Sequence, residues 1–132
     1  MTEPTAPSQD APPATQRVLV VDDEERVLGV AVRMLEAYGF AAAGVATGTA
    51  ALEALTSAEL PFDAIVLDYG LPDFTAQVLI ARLRTIAPRT PIVMISGHPI
   101  AIESVPGVAC VLRKPFTMDR LAGAVQAALR GA

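Results

Sequence analysis

The sequence predicts an α/β fold, a three-layer sandwich around a five-stranded parallel sheet in the order 2-1-3-4-5. Three observations predict it. Short runs that are apolar at every position alternate with longer stretches of helical periodicity, the alternation repeats five times, and the apolar runs end abruptly in polar residues. A run with no polar position suits a strand buried on both faces, as in a parallel sheet. Parallel neighbours need right-handed crossovers, and the helical stretches supply them.

Val18-Leu19-Val20-Val21 is the first strand, and it stops at Asp22-Asp23-Glu24-Glu25. The helix that follows carries Val27, Val30, Ala31, Met34, Leu35 and Tyr38 at i, i+3, i+4, i+7 spacing, with Gly39 as its stop. Ala41 to Ala46 is a weaker second strand, and Gly48 to Ala58 is an alanine-rich helix with Leu52 and Leu55 three apart. In Thr47-Gly48-Thr49 the helix N-cap is a better reading than a phosphate-cradling turn. Ile65-Val66-Leu67 is the third strand, ending in Asp68. Phe74 to Ile86 follows as a helix, with Val78, Leu79, Arg82, Leu83 and Ile86 at helical spacing before Pro88. Ile92-Val93-Met94-Ile95 is the fourth strand, ending in Ser96-Gly97. Between it and the fifth strand, Val108 to Leu112, lie only Gly97 to Gly107, with Pro99 and Pro106 among them. A complete crossover needs at least about 10–12 residues, so the fourth helix is expected to be stunted, one or two turns within Ile100 to Val105. Thr117 caps a last helix whose inner face is Leu121, Val125, Ala128 and Leu129.

Composition sets the class. Of 132 residues, 52% are hydrophobic and 18% charged, enough to bury one domain's core. Residues 1–16 differ, with Pro4, Pro7, Pro12 and Pro13 and no large apolar residue after Met1, and are expected to form a disordered leader to a folded domain at 17–132. Ten basic against 14 acidic residues give a net charge of −4, which argues against nucleic acid as a primary partner. One cysteine, Cys110, excludes an internal disulfide framework, and one histidine, His98, weakens any scheme that needs two. No run reads as membrane-spanning, and Glu3 and Asp10 stand where a secretory signal carries basic charge. The expectation is a cytoplasmic protein without a membrane association.

In an open parallel sheet, ligands bind outside the carboxyl ends of the strands. Strand one delivers Asp22 and Asp23 there, strand three Asp68, strand four Ser96 and strand five Lys114. Helix-dipole complementation, worth under about 1 kcal/mol per acid, accounts for one or two of the acids but not for Asp68 on the neighbouring strand. Three converging carboxylates need a counter-cation, and hard oxygen ligands select Mg²⁺ or a similar ion such as Mn²⁺. Lys114 is the single lysine against nine arginines, placed where a compact ammonium reaches the same carboxylates.

Four segments in order, V-L-V-V-D-D-E at Val18 to Glu24, V-L-D-Y-G-L-P at Val66 to Pro72, M-I-S-G at Met94 to Gly97 and R-K-P-F at Arg113 to Phe116, carry a resemblance. Over about residues 17–130 the chain resembles the response-regulator receiver domain of bacterial two-component signalling. The resemblance implies a flavodoxin-like (βα)5 fold and a phosphoacceptor function. Asp68 takes a phosphoryl group from a histidine kinase or a histidine phosphotransfer protein. By the same resemblance Asp23 is expected to bind Mg²⁺ directly with Asp22 assisting through water, and Asp68 and the backbone carbonyl of Gly70 to complete the metal ligands. Lys114 pairs with a phosphoryl oxygen and the Ser96 hydroxyl bonds another. It implies a signalling protein rather than an enzyme acting on other substrates, catalysing only its own phosphorylation and dephosphorylation.

Two departures affect readout. Val111 stands where the family has an aromatic, and Ala76 where it usually has glycine. The chain reads as a stand-alone receiver, a monomer or weak dimer that signals to a downstream protein by contact. The alternative is a receiver-fold binding module whose phosphorylation is vestigial. A flavodoxin-type electron carrier fails because Asp22 to Glu25 repel a phosphate, and a dehalogenase-type phosphatase fails because Gly70 replaces its second acid. A Ser96–His98 pair lacks a nucleophile elbow, so His98 reads as a loop residue at the site rim and Cys110 as a small buried hydrophobe.

Overall fold

The computed structural model describes residues 15–131. Most of the expected leader at 1–16 therefore lies outside the described residues. In chain order the elements are β1 (Arg17–Val21), α1 (Glu25–Ala37), β2 (Ala41–Val45), α2 (Gly48–Ser57), β3 (Ala64–Asp68) and α3 (Ala76–Ile86). They continue with β4 (Ile92–Ser96), a 3-10 turn (Ile102–Ser104), β5 (Cys110–Arg113) and α4 (Met118–Gly131). The five strands form one parallel sheet in the order β2-β1-β3-β4-β5, as the sequence predicts.

Every residue of β3 and β4 is buried, and so are Val18 to Val21 of β1. These are the runs that are apolar at every position, and burying each of their larger side chains stabilises the fold by about 1.5–3 kcal/mol. Their side chains divide by parity into two cores. Leu19, Val21, Ile65, Leu67, Ile92 and Met94 face α2 and α3, while Val18, Val20, Val66, Val93 and Ile95 face α1 and α4. The stiff floor of the site is therefore the best-packed part of the molecule.

Two helix faces differ from the sequence expectation. In α1 Val30 is exposed, as is Tyr38 just past its end, and Leu28 and Val32 join Ala31 and Leu35 against the sheet. The cause is Gly44 of β2: a Cβ there would lie 2.8 Å from Leu28 Cδ1 and 3.2 Å from Val32 Cγ2. The missing side chain lets α1 settle onto an alanine strand by that face. In α3, Val78 is exposed while Ile80, with Leu79 and Leu83, is buried.

The fourth crossover contains one 3-10 turn and no α-helix. Arg84 of α3 ties this corner together: its guanidinium donates to the carbonyls of Ala87, Thr90 and Gly107. Gly107 has φ of 92°, a left-handed conformation that suits glycine. No helix of the described residues is long and apolar enough to cross a membrane.

Candidate functional site

The site is assembled by strand register. Val21 pairs with Leu67, so the residues that follow them, Asp22 and Asp68, emerge side by side at the carboxyl edge. Hydrogen bonds continue the ladders past the strand ends: Asp22 N–H donates to Val45 O at 3.1 Å, Tyr69 N–H to Ile95 O at 2.9 Å and Lys114 N–H to Ser96 O at 2.8 Å. Asp22 and Asp68 are buried and Asp23 is exposed. One carboxylate oxygen from each of the three lies within 4.8 Å of the others, close enough for one cation.

Lys114 closes the site from β5's end. Its ammonium lies 3.0 Å from Asp22 Oδ2, 3.1 Å from Asp68 Oδ1 and 2.9 Å from Glu24 Oε1. The Lys114–Pro115 peptide bond is cis, a feature the sequence leaves open. Asp22 Oδ1 accepts from Glu24 N–H at 2.9 Å. Its Oδ2 is the one buried side-chain oxygen or nitrogen without a directed hydrogen bond among the described residues, the ammonium at 3.0 Å being its ion-pair partner. The lone pairs left free on that buried oxygen are open to a hard cation with its bound water. The residues present therefore fit Mg²⁺.

Charge crowding shows in the acid–base equilibria. Burial pushes the Asp68 carboxyl up; Lys114 pulls it back, Asp22 and Asp23 push it further, and the net result lies above the usual carboxylate range. Burial opposes the charge on Lys114, but Glu24, Asp22 and Asp68 outweigh it and hold the ammonium well above the ordinary lysine value.

A family model for the response regulator receiver domain matches residues 18–126. The chain belongs to that family. Among relatives, the transcriptional regulatory protein PrrA of Mycobacterium tuberculosis is 35% identical over 118 residues, covering 86% of this chain and 50% of that protein. The transcriptional regulatory protein KdpE of the same species is 32% identical over 117 residues, with the same coverage of 86% and 50%. The chain thus spans about half the length of the curated relatives it matches. Among solved structures, a response regulator receiver protein from Sinorhizobium medicae superposes with a TM-score of 0.77 at 32% identity, covering 88% of this chain and 95% of that one. A CheY-like receiver domain protein from Methanospirillum hungatei gives a TM-score of 0.80 at 24% identity, covering 89% and 96%, a likeness of fold.

Of the other residues of interest in this receiver, Ser96, His98 and Gly70 lie at or near the same edge, and Val111 and Cys110 lie further back in β5. Ser96 is buried, and its hydroxyl turns into its own loop, donating to His98 O at 2.8 Å and accepting from His98 N–H at 3.0 Å. The His98 side chain is exposed, as a loop residue at the rim should be. Gly70 lies in the exposed turn after β3. Val111 is half-buried beside the α2 and α3 core, and Cys110 is half-buried against the other, with burial pushing its thiol up so that it stays protonated.

Two contacts escape sequence reasoning. One is the Glu24–Lys114 pair. The other is Asp73, whose carboxylate accepts from Gly48 N–H at 3.0 Å, Thr49 N–H at 2.9 Å and the Thr49 hydroxyl at 2.9 Å. Thr47 caps the same helix from within, accepting from Ala50 N–H at 3.0 Å, so the N-cap reading of Thr47-Gly48-Thr49 holds and the anion beside it is the chain's own. Gly48 is required here, since a Cβ would lie 2.4 Å from the Phe74 ring. The one available signal was the carboxylate at Asp73 following a Leu-Pro turn, with bare helix N–H groups elsewhere in the chain.

Proposed function

We propose that this receiver takes a phosphoryl group from a phosphohistidine on a histidine kinase or histidine phosphotransfer protein onto Asp68. One observation carries the reading. The Asp68 carboxylate sits within reach of two further acids from the neighbouring strand and of a lone ammonium, which is the charge pattern phosphoryl transfer needs. An Asp68 oxygen attacks phosphorus, the P–N bond to the donor imidazole breaks, and the imidazole leaves with the bonding pair. Asp22, Asp23, Asp68 and the Gly70 carbonyl would hold Mg²⁺, or Mn²⁺ in its place, which would neutralise charge on the phosphoryl oxygens. Lys114 pairs with one of those oxygens. The Ser96 hydroxyl bonds another, exchanging its present bonds to His98 for that one. The chemistry modifies this chain rather than a separate substrate, and the signal passes to a downstream protein by contact. The reading places the chain in the cytoplasm, away from membrane and nucleic acid, as a monomer or weak dimer.

A second reading has an observation of its own. Val111 offers no aromatic ring to follow Ser96, and a 3-10 turn replaces the fourth helix. A binding module with vestigial phosphorylation would tolerate both. Incubation with acetyl phosphate and Mg²⁺ followed by intact mass measurement separates the two. One added phosphoryl group, absent in Asp68→Asn, is the expected result. No added mass, or mass that survives Asp68→Asn, favours the module.

A further inference from the structure

Three carboxylates surround the Lys114 ammonium at nearly equal distances, yet they hold it unequally. Glu24 receives a directed hydrogen bond from Nζ at 2.9 Å, which Asp22 Oδ2, at 3.0 Å, does not. Asp68 Oδ1 is the most distant of the three, at 3.1 Å. Exposure runs the opposite way: Glu24's side chain is 61% exposed, Asp22's 0% and Asp68's 7%. The nearest acceptor is thus the one most open to water, and Glu24 is not one of the three acids clustered for a cation.

An exposed ion pair is weak, because water screens it and ordering two long side chains costs entropy. A phosphoryl group on Asp68 offers the same ammonium a doubly charged acceptor in a more buried position, where charge-assisted bonds are stronger. Resting on the phosphoacceptor reading above, we propose that Glu24 is a placeholder anion. It holds Lys114 while Asp68 is unmodified, yields it to a phosphoryl oxygen, and swings out to solvent when displaced. Glu24 and Lys114 already line a groove of about 620 Å³ with Val27, Val30, Met34 and Phe116, so parting the pair leaves an unbalanced carboxylate on that surface. Glu24 is a positioning residue in this scheme, since it acts on the phosphoryl group only through Lys114.

Beryllofluoride, which stands in for the phosphoryl group on an aspartate, tests this by ¹⁹F NMR titration at saturating Mg²⁺. Glu24→Gln keeps the shape and removes the charge, and is expected to tighten beryllofluoride binding roughly two- to fivefold, the range an exposed ion pair commands. Glu25→Gln removes the same charge one residue further on, from a side chain with no ion pair to Lys114, and is expected to leave the affinity within about 1.5-fold. In the wild-type chain the Glu24 carboxyl ¹³C resonance should shift on adding beryllofluoride. Equal affinity for wild type and Glu24→Gln, an equal gain in Glu25→Gln, or an unmoved Glu24 resonance overturns the placeholder and leaves the phosphoacceptor reading standing. If the wild-type chain binds no beryllofluoride at all, both fall together.

Discussion

At the scale of single residues, Lys114 has two duties that mutation can separate. It balances the buried charge of Asp22 and Asp68 in the unmodified chain, and in the proposed chemistry it meets a phosphoryl oxygen. Removing one partner of a fully buried pair costs about 3–5 kcal/mol, and the open mouth of this site reduces that to roughly 1–2 kcal/mol. Lys114→Ala is therefore expected to melt roughly 5 °C lower than wild type in chelator, with Mg²⁺ restoring most of the loss because a divalent cation replaces the missing charge. The same variant should still gain phosphoryl mass from acetyl phosphate, since the nucleophile and the acids remain. A melting temperature indifferent to both the mutation and Mg²⁺ would contradict the charge-balancing role.

At the scale of elements, the loop after β3 is bolted to the start of α2. Phe74 lies on Gly48, Asp73 takes the Gly48 and Thr49 N–H groups, and Arg82 lies over the Phe74 ring at 5.4 Å. Burial works against ionisation of Asp73, but the Thr49 and Gly48 N–H groups and the Thr49 hydroxyl outweigh it and hold its carboxyl below the usual range. The sign follows from that depression. The contact stabilises fully above the unfolded value near pH 4 and is lost as pH falls through the lower folded value. Because the side chain is exposed, Asp73→Ala is expected to cost about 1 kcal/mol at pH 7, as a lost helix cap does. Urea unfolding of the two proteins should show that difference shrinking as pH is taken from about 5 to about 2. A difference that stays constant with pH would mean that the carboxylate charge contributes nothing.

At the scale of the whole molecule, the sheet was legible in the sequence and some of its cladding was not. β1, β3 and β4 announced themselves because a strand buried on both faces leaves no room for a polar side chain. The same logic delivered Asp22, Asp23, Asp68, Ser96 and Lys114 to one edge, since topology alone puts strand ends together. The facing of α1 was not legible, because two overlapping apolar stripes were available and the choice rested on a glycine in a partner strand. Glu24 and Asp73 escaped for a related reason: their partners stand 90 and about 25 positions away, and local pattern does not encode which distant groups meet. Arg84 escaped in the same way. Its planar fork reaches three carbonyls from two directions, and a lysine, with a single point of charge, cannot reproduce that. Arg84→Lys is expected to cost about 1–2 kcal/mol, which lowers the urea midpoint by roughly 0.5–1 M. An unchanged midpoint would show the corner held by something else.

One guanidinium thus does at the far corner what a run of helical turns does at the other crossovers. Between the acidic edge and that corner, segment 101–104 lies open to water, anchored by the buried Val105 and by Gln77, whose amide donates to Ser104 O at 3.1 Å. Structure with that profile is the first to come loose on warming or under a protease. The fourth crossover is consequently expected to loosen before the sheet that carries the charged cluster.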